Sequence, residues 1–93
     1  MLAERHIIIG ESVVCADLND EAVLLNVETG VYFGLSGAGK RIWSICARAV
    51  SRDELQQLLL TEFDVAPQQL EEELTAFLAE LESHGLIRLH DGP

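Results

Sequence analysis

The hydrophobic period of this chain switches between Val31 and Ile42. Before the switch, apolar residues fall in short runs, rich in Val and Ile and broken by turn residues, the pattern of strands. After it they recur at every third or fourth, the spacing of a helix with one apolar stripe. Strands followed by helices restrict the chain to an α+β architecture. Within the first part, Ile7-Ile8-Ile9 ends at Gly10 as a short first segment, and Val13 to Ala16 is apolar and β-branched. Asn19-Asp20 marks a turn. Ala22 to Val27 reads as a strand with Val23, Leu25 and Val27 on one face. Glu28-Thr29-Gly30 is a hairpin turn, with Gly30 suited to positive φ. Val31-Tyr32-Phe33 is then its second arm, with Val31, Phe33 and Leu35 on one face and Tyr32 on the other.

Three helices follow. The first is predicted from an N-cap at Ser36 to about Arg48, with Ile42, Ile45 and Cys46 on one face and Trp43 beside them. The second opens on a capping box, Ser51-Arg52-Asp53-Glu54, and carries the stripe Leu55, Leu58, Leu59, Phe63. The third has Pro67 in its first turn, the stripe Leu70, Leu74, Phe77, Leu78, Leu81, and Gly85 as its C-terminal cap. Glu71, Glu72 and Glu73 are expected in or near its first turn, where the helix dipole favours negative charge. Ile87 to Leu89 reads as a short closing strand. The expected fold is α+β and winged helix-turn-helix-like: a three-stranded antiparallel sheet followed by three helices, in a single domain spanning 1–93.

Charge narrows the function classes. The chain holds 6 Lys+Arg against 16 Asp+Glu, a net charge of −10. The segment Asp53 to His84 has nine acidic residues and no Lys or Arg. Topology would allow the third helix to act as a DNA-recognition helix. Its five Glu and lack of cations oppose that role, because phosphate neutralisation requires cations. No nucleic-acid partner is expected. No apolar run reaches membrane-spanning length and Met1 to His6 does not open a signal peptide, so no membrane partner and a cytoplasmic location are expected.

Gly34-x-x-x-x-Gly39-Lys40 matches the spacing of a phosphate-binding loop, after a strand and before a helix. Position 41 is Arg where the motif needs a hydroxyl for magnesium, the strand belongs to an antiparallel hairpin, and no later strand offers an Asp. The glycines are better read as letting the helix start close to the sheet, with Lys40 solvated. Cys15 and Cys46 lack metal-ligand spacing and read as small thiols in a reducing compartment; whether they lie close stays open. His84 sits where a helix C-terminus favours an imidazolium. The remaining glutamates of the third helix read as a solvated face. No catalytic residues, no metal site and no cofactor are expected.

What remains is the Val31-Tyr32-Phe33 strand. At a sheet edge its unpaired N–H and C=O groups would template another strand, and it carries no Lys or Pro to prevent that. Cover by the chain itself or by a dimer partner is the alternative.

Several segments in order resemble the PqqD-like family, the RiPP recognition elements: Val23-Leu24-Leu25-Asn26, Thr29 to Ser36, Gly39, Ile42-Trp43, Ser51 with Asp53-Glu54-Leu55, Glu62 to Val65, Phe77-Leu78 with Leu81, and Gly85-Leu86-Ile87. The resemblance implies a non-catalytic domain that binds the leader of a ribosomally made precursor peptide and delivers it to a modifying enzyme. The leader would add as an antiparallel strand to Val31, Tyr32, Phe33 and Gly34, in a cleft closed by the helix Gln68 to His84. Helix candidates for contact are Glu73, Leu74, Phe77, Leu78 and Glu80; the three leucine and phenylalanine positions also serve as core. The glutamates imply a leader carrying Lys or Arg.

Within that family the chain is most similar to the stand-alone leader-binding proteins of lasso-peptide clusters. Those imply a transglutaminase-like cysteine protease, or another modifying enzyme, as partner to a monomer or weak dimer. The pyrroloquinoline-quinone branch has a Pro-Glu-Gly-like turn before the third strand, where this chain has Glu28-Thr29-Gly30.

Overall fold

The computed structural model describes residues 5–48 and 51–91. The segment read above for a targeting signal falls largely on residues 1–4, outside the described residues. The elements are β1 (Arg5–Ile9), β2 (Val13–Leu18), β3 (Glu21–Asn26), β4 (Val31–Ser36), α1 (Ala38–Cys46), α2 (Arg52–Glu62), α3 (Pro67–Ser83) and β5 (Ile87–Asp91). The three-stranded antiparallel sheet and three helices expected from the periodicity are present, in the strand order β2-β3-β4. A separate two-stranded sheet is added by β1 and β5, with Ile7 opposite Leu89 and Ile9 opposite Ile87. It ties the two ends of the chain together, a pairing between distant segments that no local pattern signals.

Register explains which faces are covered. Leu24 pairs with Phe33, Ala22 with Leu35, and Asn26 with Val31. These residues form the inner face, with Leu24 0% exposed and Ala22 2%. Val23 and Leu25 lie on the outer face, and Val27 just beyond the strand is exposed. The inner face therefore includes a polar residue where alternation of hydrophobicity would choose the opposite set. Asn26 is tolerated because it is satisfied. Its Nδ2 donates to Gly85 O at 3.0 Å, and its Oδ1 accepts from the Glu28 and Thr29 amides at 3.0 and 3.3 Å. It thereby holds the β3–β4 turn against the end of α3.

Ser36 does not cap α1. It is still in the ladder, paired with Glu21, and the N-cap is Gly37 at φ 54° with no side-chain capping bond. A side chain other than glycine would be strained there. The helix ends at Cys46, two residues short of the expected end, and buries Ile42, Trp43, Ile45 and Cys46. Burial pushes the Cys46 thiol up to about 12, which leaves it a neutral packing group. Cys15 is exposed, and both cysteines are free.

The capping box at Ser51 is complete: Glu54 N donates to Ser51 Oγ at 3.1 Å, and Ser51 N donates to Glu54 Oε1 at 3.3 Å. Ser51 is only 1% exposed. Ser51→Ala is expected to cost about 1–2 kcal/mol, read as a lower urea midpoint at unchanged slope. Arg41 spans from α1 to Glu62 at the end of α2, with Nε donating to Oε2 at 2.8 Å. The guanidinium holds the Glu62 carboxyl below the usual carboxylate range. A carboxylate depressed in the folded state favours folding above that range, and the contribution is lost as pH falls through the folded value.

In α3, Pro67 stands in the first turn as expected, and Leu70, Leu74, Leu78 and Leu81 are buried. The first turn of the helix holds no acidic residue, so Glu71 to Glu73 lie near it, just beyond its end. His84 is the C-cap, and Gly85 follows at φ 73°. None of the described helices is long and apolar enough to cross a membrane.

Candidate functional site

The phosphate-loop match does not make a phosphate site. Gly34 is a strand residue paired with Val23, so the segment is no anion-binding loop. Lys40 Nζ donates to Asp17 Oδ1 at 2.7 Å and also to Asn19 O, which clamps the β2–β3 turn onto α1. Lys40 in turn lowers the Asp17 carboxyl below its ordinary value. A methyl group built on Gly39 would stand 3.5 Å from the Phe77 ring and 3.7 Å from Leu35, so the helix does start close to the sheet. Among the described residues no group of three or more His, Cys, Asp or Glu is placed to hold a metal.

The edge of β4 is the distinctive feature. No described strand pairs with its outer side, whereas β3 covers its inner side. Strand β2 forms the other edge, but β4 is the edge faced by a helix. The two approach through side chains: the Phe33 ring lies edge-on to Phe77, centroids 6.5 Å apart, and edge-on to His84 at 5.2 Å. Residues 73, 77, 80 and 84 fall at helical spacing, so Glu73 and Glu80 share this flank of α3 with the two rings. The flank borders the buried stripe. Leu74 and Leu78, each 1% exposed, belong to that stripe; Leu74 reaches the floor of an apolar cavity, whereas Leu78 does not line it.

Where β4 ends, an apolar cavity of about 350 Å³ opens between α1, α2 and α3. Gly39, Ile42, Phe63, Val65, Leu70 and Phe77 line it, with Glu73 also on its wall. That volume lies at the small end of the range for ligand pockets, about 300–1,000 Å³, and suits a large side chain or two. A larger hollow of about 580 Å³ lies near the start of β2 and the end of α3, lined in part by Glu11, Glu28, Glu82 and Arg88. It does not adjoin the outer side of β4, and two of its carboxylates are engaged: Ser12 donates to Glu28 and the Leu89 amide to Glu82.

Charge on the cleft is negative. Glu71 pairs with Arg52 at 3.3 Å, on the side toward α2. Glu73 receives only Gln69, and among the described residues neither Glu73 nor Glu80 has a cationic partner. His84 is held in place, its Nδ1 2.7 Å from Glu80 O.

The expected strand residues thus fall together: Val31, Tyr32, Phe33 and Gly34 lie on the open edge, with Phe33 turned toward α3 and Tyr32, 69% exposed, turned away. Glu73, Phe77 and Glu80 share the facing flank. The sequence pattern missed His84 as a cleft wall, and it missed the cavity contributions of Phe63 and Val65. The spacing 73, 77, 80, 84 carried the first signal. The second depends on how three helices meet.

The family profile for coenzyme PQQ synthesis protein D (PqqD) matches residues 21–87. TbiB1 in complex with the TbiA(beta) leader peptide is 36% identical, with a TM-score of 0.83, covering 87% of this chain and 94% of that one. Lasso peptide synthetase B1 complexed with its leader peptide has a TM-score of 0.78, covering 88% and 96% respectively; at 21% identity that match shows the shared fold alone. No curated protein sequence matches the chain.

Proposed function

Because this chain belongs to the PqqD family, we propose that it is a non-catalytic adaptor that captures the leader segment of a ribosomally made precursor peptide and presents it to an enzyme. The observation that carries this reading is the unpaired edge of β4 facing the flank of α3. Backbone groups on that edge can satisfy an added strand, and side chains alternate between the cleft and solvent. The 36% identical structure, itself a leader-peptide complex, supports the same reading. A leader paired antiparallel to β4 runs from the cavity beside Gly39 toward His84. Its upstream end then offers an apolar side chain to the cavity, and the remainder of the precursor leaves past the β3–β4 turn.

The finer assignment is to the lasso-peptide branch, with a separate leader protease or other modifying enzyme as partner. The proline-free turn Glu28-Thr29-Gly30 supports this branch over a chaperone of pyrroloquinoline quinone synthesis. The site comprises Val31, Tyr32, Phe33, Gly34, Glu73, Phe77 and Glu80, in a protein acting without cofactor, metal or nucleic acid.

Titration of fluorescein-labelled TbiA(beta) leader tests the reading, with saturable binding expected and a scrambled peptide as control. Replacing a backbone N–H of the central strand with N-methyl is expected to weaken it strongly, since a ladder bond is lost. Equal affinity for every N-methylated peptide would remove strand addition. Unpaired Glu73 and Glu80 predict salt sensitivity: affinity for a Lys- or Arg-bearing leader falls about 3- to 6-fold between about 0.05 and 0.5 M salt. A flat salt profile would remove the electrostatic contribution.

A further inference from the structure

We infer that His84 is a specificity-determining residue of the cleft: with its Nδ1 proton committed to Glu80 O and its ring packed on Phe33, it offers Nε2 to a bound strand carrying an N–H or O–H donor side chain. This rests on the strand-addition reading above.

Three features of the geometry lead there. First, the tautomer is set. Nδ1 lies 2.7 Å from Glu80 O, and a carbonyl oxygen only accepts, so Nδ1 carries the proton. The Ser83 hydroxyl lies 3.3 Å from the same nitrogen and itself donates to Glu80 O at 2.8 Å, so it does not displace the ring proton. With Nδ1 protonated, the neutral ring presents Nε2 as an acceptor. Second, Nε2 is uncommitted: no described residue bonds it, and the ring is half-buried rather than immersed in the core. Third, the ring is aimed by packing. It stands edge-on to Phe33 at 5.2 Å and 75°. A strand added to β4 places the residue opposite Phe33 on the same face as Phe33, which is the face turned to α3. The side chain there meets Phe77, Glu80 and His84, two of which are suited to accept a hydrogen bond.

On α3 the ionisable group nearest the ring is Glu80, one turn back; Glu82 lies around the helix and accepts from the Leu89 amide. Strand β4 contributes Phe33 and no ionisable side chain on that face, because Tyr32 points outward. From β3, the neutral Asn26 reaches Gly85.

The test is a double-mutant cycle with the labelled TbiA(beta) leader, an alanine scan of its donor side chains, and His84→Phe. Phenylalanine keeps a ring against Phe33 but has no acceptor. One peptide substitution is expected to cost about 3- to 10-fold on the wild-type protein and nothing on His84→Phe. His84→Gln, which keeps a side-chain acceptor, is expected to retain part of that discrimination. If every substitution costs the same on both proteins, while Phe33→Asp still abolishes binding, the inference is overturned and strand addition survives. No binding by the wild-type protein overturns both.

Discussion

Phe33→Asp is expected to weaken leader binding at least about 30-fold, the size of a central hot-spot loss. Phe33 alone in β4 touches α3 through two rings, Phe77 and His84, and it pairs across the sheet with the fully buried Leu24. A carboxylate there removes the aromatic wall, lies against apolar side chains without a partner, and adds negative charge on the flank that holds Glu80. Circular dichroism and urea unfolding separate lost binding from lost fold. Tyr32→Ala is the matched control, because Tyr32 points to solvent on the opposite face and offers the added strand its backbone only. Its affinity is expected to stay within about threefold of wild type, the scale of a near-neutral contact. Undiminished binding by a folded Phe33→Asp protein would remove the β4–α3 cleft from the site.

Leu78→Ala is expected to act on stability and leave the cleft alone. Leu78 is 1% exposed in the buried stripe of α3. Truncation removes its transfer energy and leaves a cavity, together about 3 kcal/mol. In a domain whose total stability is about 5–15 kcal/mol this is a large share, and it lowers Tm by roughly 12–24 °C. The urea midpoint should fall at unchanged slope, and the folded fraction should bind the leader with nearly wild-type affinity. A loss below about 1 kcal/mol would contradict the packing of α3. The pair of variants sorts the α3 residues by role: Phe77 and Glu80 at the surface of the cleft, Leu74 on the floor of its cavity, and Leu78 beneath it.

That sorting was only half legible in the sequence. Leu74, Phe77 and Leu78 all fall on one apolar stripe, and spacing places all three on the same side of a helix. A rotation of a few tens of degrees decides which of them are covered by α2 and the sheet and which look across to β4. Hydropathy has no such resolution. The same holds in β3, where Val23, Leu25 and Val27 form the more apolar set, yet Ala22, Leu24 and Asn26 face inward. The deciding contact is between Asn26 and Gly85, 59 residues away in sequence.

Local chemistry was determined by the sequence itself. The switch from short apolar runs to a period of 3.6 set strands before helices. Ser51 with Glu54 set the start of α2, Pro67 the first turn of α3, and Gly85 its end, because each acts through neighbours within one turn. The absence of cations from Asp53 to His84 set the sign of the cleft's charge before any coordinates. The tertiary structure alone decided what depends on distant segments meeting. It pairs β1 with β5, spends Lys40 on Asp17 and Asn19 where a motif would give it to a phosphate, and sets His84 against Phe33. Among the described residues it also leaves one side of β4 without a partner. Whether backbone groups are paired or open depends on the whole chain's path, so only the fold could expose this edge beside a helix suited to receive a peptide.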